Sequence, residues 1–423
     1  MTPETDSRTP SREAGLLQLS AFLPHAGNNY ARLRNIDYGP GEKPQVSTLS
    51  PWIRHRLINE QEVVAATVTV HGNRGAEKFI QEVCWRTYWK GWLEQHPSIW
   101  RGYTTALEKN IEEITNTPEL AQRLEAATSG STGIECFDFW SRELIDTGYL
   151  HNHARMWFAS IWIFTLKLPW ELGADFFLRY LIDGDAASNT LSWRWVAGLQ
   201  TRGKTYLAGP ANIMRYTNNR FSPPVGLAQK AITIEAPSPP QPHPLEFEPQ
   251  KRPYEVAGLL LCDEDLNPEF LCEQGWRFST ALAVEATANR SILQIAPHVT
   301  RFTRGALKDA LARSGAAEAE KHIPTGDYAA QITAWAQKHK LRVVVLSYLP
   351  VGPTADALAS VWPALEKAGI RVRISVRDWD RRAWPACEGG FFKFWHKVGK
   401  NLANEDLSNR YPESTRRRQA SKK

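Results

Sequence analysis

Close cysteine pairs are missing from this chain of 423 residues. Its five cysteines, at 84, 136, 262, 272 and 387, are scattered. No Cys/His spacing suits a zinc site or an iron–sulfur cluster, so no metal is expected. A dispersed, odd set fits reduced thiols in a cytosol better than a disulfide framework. Long apolar runs are missing too. The most hydrophobic stretch, MWFASIWIFTL at 156–166, stops at Lys167 and is too short to cross a bilayer. The N-terminus is polar and lacks the apolar centre of a signal peptide. No GxGxxG or GKS/T loop occurs, which removes the usual phosphate-cradling motifs. No internal repeat is seen. These absences predict a cytoplasmic protein with no membrane partner; a monomer is expected, although nothing in the sequence reveals the oligomeric state.

Tryptophan, by contrast, is abundant. Seventeen indoles are present, and they crowd into the first half. Each is bulky and needs a partner for its N–H when buried. A region so rich in them is either a heavy core or a surface that stacks on rings. The net charge of +6 is modest. Much of it lies in the last stretch, NRYPESTRRRQASKK, which reads as a solvated, disordered end or as an arm that tracks phosphates.

The length allows two or three domains. After an N-terminal extension (1–28), residues 29–228 carry mainly helical periodicity. FIQEVCWRTYWKGWL repeats large residues at three and four, and FDFWSRELIDTG closes on a glycine in helix-stop position. Residues 229–254 form a linker. Its IEAPSPPQPHPLEFEPQKRPY run holds seven prolines and can continue neither a helix nor a central strand. Beyond it, VAGLLLCDED, FSTALAVEA, LRVVVLSYLP and IRVRISVRD read as buried strands with helices between them. That alternation predicts an α/β Rossmann-like domain with a parallel sheet over 255–400. Residues 401–423 are the basic tail. The fold expected is multidomain: an all-α helical domain, then an α/β domain.

Four stretches combine charge with large rings. In the first, Phe79, Glu82, Trp85, Arg86, Trp89 and Leu93 share one helical face. A weak Glu82–Arg86 pair at i, i+4 is the simplest reading of its charges. In TGYLHNHARM, Asn152, Arg155 and Met156 fall at i, i+3 and i+4, while His151 and His153 read as structural imidazoles. In LIDGDAASNTLSWRW, Asp183 and Asp185 stand two apart and Asn189 lies one turn further on. In VSTLSPWIRH, Ser47, Thr48 and Ser50 precede Pro51 at a helix start, where hydroxyls and free N–H groups cap a helix or bind phosphate.

Taken together, TLSPWI, EVCWRTYW, TGYLHNHARMWFAS and LIDGDAASNTLSWRW resemble the flavin-binding domain of the DNA photolyase/cryptochrome family. They do so in this order and spacing, over about residues 30–220. The resemblance implies a helical domain that holds FAD in a U shape. It implies that Tyr30, Ser47, Thr48, Leu49 and Ser50 meet the ribityl-phosphate side and that Arg86 faces the flavin. Arg155 and Asp183 correspond to an ion pair beside the isoalloxazine edge, Asp185 to a further contact, and Asn189 to the residue opposite flavin N5. Trp193 and Trp170 correspond to two members of an electron relay. Its surface member has no counterpart near TNTPELAQRL, which has no Trp; the alternatives are that Trp100 or another indole substitutes or that photoreduction is impaired. Glu82, Trp85, Asn152, Met156 and Trp195 correspond to the pocket for a flipped-out cyclobutane pyrimidine dimer in UV-damaged DNA. Members that act on the (6-4) lesion carry His at the positions of Asn152 and Met156, which this chain does not. The implied activity is that of a deoxyribodipyrimidine photolyase, splitting the dimer with an electron from excited reduced FAD under blue light. The alternative is a cryptochrome-like photoreceptor without repair. A second antenna chromophore, folate or deazaflavin, occurs in the family, and no motif here specifies one. The family places its α/β antenna domain first. Here the α/β domain follows, so a permuted order is expected, the alternative being an unrelated Rossmann-like domain.

Overall fold

A computed structural model describes residues 8–42, 45–201, 203–237, 240–247, 255–320 and 326–404. Most of the basic tail therefore lies outside the described residues. From the helix Arg12–Phe22 to the helix Pro210–Tyr216 the described chain contains helices and no strand. Local chemistry sets several of the boundaries. Asn59 and Glu62 exchange side-chain-to-backbone hydrogen bonds of 3.0 and 2.9 Å, a capping box that starts the helix at Glu60. The Asp185 carboxylate accepts from Ser188 N at 2.8 Å and starts Ala186–Val196. Gly148, at φ 64°, stops Glu135–Thr147 in the left-handed conformation that glycine adopts without strain.

The second half contains five parallel strands: β1 Val256–Cys262, β2 Arg277–Val284, β3 Glu318–Ala319, β4 Val343–Ser347 and β5 Arg371–Ser375. Their order is β3-β2-β1-β4-β5. Strands β1 and β4 are apolar and buried on both faces, as the continuous hydrophobic runs require of a covered parallel sheet. The two-residue β3 escaped the sequence reading because it carries no pattern of its own. The chain reverses direction across the sheet between β1 and β4, and in open α/β sheets that switch leaves a crevice beyond the carboxyl ends of the strands.

Here the helical half fills that crevice. Arg54 Nη2 pairs with Glu264 just after β1 at 2.7 Å, and Arg54 Nε donates to Gly184 O at 2.7 Å. Lys90 Nζ lies 3.1 Å from Glu264 and 3.2 Å from Asp185. Arg56 grips Asp380 with two bonds of 2.7 and 2.8 Å, and Arg377 grips Asp265 at 2.6 and 2.7 Å. Arg54, Arg56, Arg86, Lys90, Arg290 and Arg377 are matched in number by Glu60, Asp185, Asp263, Glu264, Asp265 and Asp380. A buried ionic lattice of this kind is tolerated only when each charge has partners.

The helix Glu77–Gln95 is the spine of the junction. Trp379 Nε1 donates to Thr87 Oγ1 at 2.9 Å, and Gln95 Nε2 donates to Trp384 O at 2.6 Å. A Cβ on Gly91 would sit 2.8 Å from the Trp384 Cα, so only glycine permits this approach. The proline-rich segment passes the same helix end, with His243 N donating to Gln95 O at 2.8 Å.

Glu94 makes one of these contacts sensitive to pH. Its carboxyl accepts from Tyr348 Oη at 2.7 Å and from Val351 N at 2.6 Å. Burial nevertheless pushes it up from 4.5 to about 7. The folded chain therefore keeps a proton that the unfolded chain releases, and stability falls as pH rises through that window. We expect Glu94→Gln to lack this fall. Denaturation midpoints at pH 5 and pH 7.5 should show the wild type losing ground to the variant as pH rises.

Candidate functional site

A cavity of about 510 Å³ opens between the helices Glu77–Gln95, Asn152–Ser160 and Ala186–Val196. Glu82, Trp85, Arg86, Asn152, Arg155, Met156, Asp183, Asp185, Asn189, Trp193 and Trp195 all line it. Helical spacing accounts for the convergence. Residues 82, 85, 86 and 89 fall on one side of the first helix, and 152, 155, 156 and 159 on one side of the second. The loop 181–185 turns between two helices and delivers its acids to the same wall.

The charges at the cavity are held in fixed pairs. Arg155 Nη2 meets Asp183 Oδ2 at 2.8 Å. Burial pushes the Asp183 carboxyl up, but Arg155 overcomes this and holds it below its ordinary value. Burial acts on Asp185 in the same sense, and Lys90, Arg86 and Arg54 hold it far below the carboxylate range. Both acids therefore stay ionised. The expected Glu82–Arg86 pair is replaced by better partners from other elements. Glu82 pairs with Arg34, while Arg86 lies 3.5 Å from Glu60 and 3.4 Å from Asp185. Burial raises Glu82 despite Arg34. Asn189 Nδ2 donates to Ala174 O at 2.8 Å, which leaves its Oδ1 as the free end of the amide.

Two aromatic residues from a distant segment join the site, one behind its wall and one at its mouth. Phe391 stacks flat on Trp85, with centroids 3.8 Å apart and planes 8° from parallel. Its neighbour Phe392 is 61% exposed and lines the cavity. Tyr88 Oη ties this segment down by donating to Gly389 O at 2.8 Å. The run GGFFKFW was the available signal, but no local pattern tells which residue such a run will meet three hundred positions away. Trp195, on the opposite helix, packs against Tyr206 at 5.8 Å.

Other predicted site residues lie elsewhere. Tyr30 is buried between Phe22 and Phe79 and does not line the cavity. Ser47, Thr48, Leu49 and Ser50 lead into the short helix Ser50–Arg54, where Gln18 Nε2 donates to Ser47 O and Thr48 Oγ1 at 2.9 Å each. They too stand outside the cavity lining. Trp170 is buried one helix away, 5.7 Å from Tyr103, which is 5.2 Å from Trp100. Trp193 lies 6.1 Å from Trp162. His151 and His153 are structural. His153 stacks on Trp157 at 4.0 Å, and burial lowers His151 to about 4.

The lining fits a planar, polar-edged group. Indoles supply flat apolar walls. The Arg155–Asp183 pair and the Asn189 amide supply donors and acceptors at the edge. Trp193 Nε1 is buried with no hydrogen-bond partner among the described residues. Buried polar atoms of this kind call for a partner. Among the described residues no cluster of His, Cys, Asp and Glu suits a metal ion, and no helix is long and apolar enough to cross a membrane.

Residues 79–225 match the family described as the FAD binding domain of DNA photolyase. The deoxyribodipyrimidine photo-lyase of Streptomyces griseus is 34% identical over 156 residues, which are 37% of this chain and 32% of that protein. The enzyme of the same name from Thermus thermophilus is 30% identical over 203 residues, 47% of this chain and 45% of its own. The crystal structure of a bacterial class III photolyase from Agrobacterium tumefaciens aligns with a TM-score of 0.41 at 26% identity, covering 52% of this chain and 46% of that one. The chain thus spans 32% and 45% of the length of these two curated relatives.

Proposed function

Residues 79–225 belong to the photolyase/cryptochrome family, and on that premise we propose that the chain is a blue-light-driven DNA repair flavoprotein that splits cyclobutane pyrimidine dimers. The observation that carries the proposal is the joint lining of one cavity by the flavin-type residues Arg86, Arg155, Asp183, Asp185 and Asn189 and the dimer-type residues Glu82, Trp85, Asn152, Met156 and Trp195. Reduced FAD, when bound, supplies the light-excited electron.

The chain's own residues hold and orient. Arg155 and Asp183 present a donor and an acceptor to the ring edge. Asn189 offers a neutral carbonyl oxygen, which accepts from a ring N–H. A carboxylate in its place would repel an anionic ring system. Trp85 and Trp195 provide the faces against which a flipped-out pyrimidine dimer stacks, and Glu82 lines the same cavity with a carboxyl that can hydrogen-bond a base edge. Trp193 and Trp170, extended by Tyr103 and Trp100, are oxidisable rings suited to relaying an electron.

Blue light on the reduced, flavin-loaded protein should remove dimers from irradiated oligothymidylate, and binding of that DNA should weaken with salt. Dimers that survive illumination would overturn the proposal. A light-dependent change in protein association alongside that result would favour a photoreceptor. The placement of the exposed Phe392 at the mouth is the observation that favours this second reading.

A further inference from the structure

A second cavity, of about 670 Å³, lies on the far side of the helix Ala186–Val196. Trp193 faces the cavity described above, whereas Arg194 lines this one. Its walls come from the helix Pro97–Asn116, the π-wound turn Ile161–Thr165, the start of the helix Trp170–Tyr180 and the extended stretch 232–237. They are mainly apolar, with Ile99, Leu168 and Ile234 beside the rings of Tyr103 and Trp170. The volume is that of a pocket for a small organic molecule.

The charge inside it is anomalous. Arg194 is 7% exposed, its Nε has no hydrogen-bond partner, and it forms no ion pair among the described residues. Its guanidinium lies 6.0 Å from the Trp170 ring centroid. Glu171 shares the wall, but its carboxylate accepts from Asn110 Nδ2 at 3.2 Å and does not reach Arg194 within ion-pair distance. Lys167 and Glu235, the other charged residues of the lining besides Glu171, are exposed to solvent. Burial pushes the Arg194 guanidinium down from its ordinary value and Glu171 pulls it only partly back. An unpaired guanidinium in an apolar wall is costly, and a carboxylate or sulfonate is its natural fork-shaped partner.

We propose that this groove binds a small aromatic anion, with its acidic group on Arg194 and its rings along Trp170 and Tyr103. The anion occupies a site separate from the flavin-sized cavity, so its binding stands or falls independently of the repair reading.

The test uses the full chain and two fluorescent probes. One is 8-anilinonaphthalene-1-sulfonate, and the other is uncharged N-phenyl-1-naphthylamine. The sulfonate should bind saturably at one site. Arg194→Met should weaken it by about 10- to 100-fold, the size of a lost charge-assisted hydrogen bond, and change the uncharged probe by less than about threefold. A Cβ at Gly102 would meet nothing within 4 Å. Gly102 lines the groove and has room for a Cβ, so the ring of Gly102→Phe competes for the groove and should expel both probes. Three outcomes would overturn the proposal: no saturable binding to the wild type, equal loss of both probes in Arg194→Met, or unchanged sulfonate binding in Gly102→Phe.

Discussion

Replacing Arg56 with Met is expected to lower folding stability by about 3–5 kcal/mol, the usual cost of removing one partner of a buried ion pair. Arg56 makes both guanidinium bonds to Asp380, at 2.7 and 2.8 Å, and lies 3.3 Å from Glu60. Asp380 is 1% exposed and would keep its charge or its desolvation with no partner on that side. Glu60 retains Arg86, and Asp265 retains Arg377, so the damage centres on Asp380. The double variant Arg56→Met/Asp380→Leu should recover much of the loss, because an apolar pair leaves no orphaned charge. Urea denaturation of the wild type, both single variants and the double variant provides the check. Equal and additive losses would show that the pair is not coupled. The expected effect is larger than for a surface pair because Arg56 and Asp380 fasten the helical half to the segment that carries Phe391.

The second large effect concerns Trp85. Its indole lines the cavity with Phe391 stacked flat on it at 3.8 Å. Stacking of a base on an aromatic side chain is worth about 1–3 kcal/mol. We therefore expect Trp85→Ala to weaken binding of dimer-containing oligothymidylate by about 10- to 100-fold. Affinity for undamaged DNA and the amount of flavin held should change little, because the flavin-type charges are fixed by their own ion pairs, Arg86 by Glu60 and Asp185 and Arg155 by Asp183. Trp85→Phe should recover part of the loss. Phe391→Ala removes the support beneath the indole and should give a smaller defect in the same direction. Titrations of damaged and undamaged oligonucleotides, with flavin absorbance read on the same samples, separate these effects. Equal weakening on both DNAs would assign Trp85 to general surface contact.

Much of this site was legible in the sequence for a physical reason. Positions three and four apart on a helix share a face, so Glu82, Trp85 and Arg86 converge once the helix forms, as do Asn152, Arg155 and Met156. The sheet was legible where burial on both faces imposes continuous apolar runs, as in β1 and β4, but the two-residue β3 imposes none. Partners distant in the chain were not legible. Glu82 takes Arg34 rather than Arg86, and Trp85 takes Phe391, because tertiary contact outweighs a weak pair at i, i+4. The ionic filling of the crevice after β1 was hidden likewise: CDED announces acids, yet nothing nearby announces Arg54, Arg56 and Lys90. Arg194 carries no signal in the sequence beyond standing between Trp193 and Trp195, yet it opens on a groove of its own.

A flavin ring system held against Asn189 and the Arg155–Asp183 pair is what gives this cavity its proposed chemistry. The most direct measurement is an absorption spectrum of the purified full chain before and after incubation with FAD. Flavin bands should be retained through desalting at one FAD per chain, and lost in Asp183→Ala. A colourless protein that takes up no FAD would contradict that chemistry.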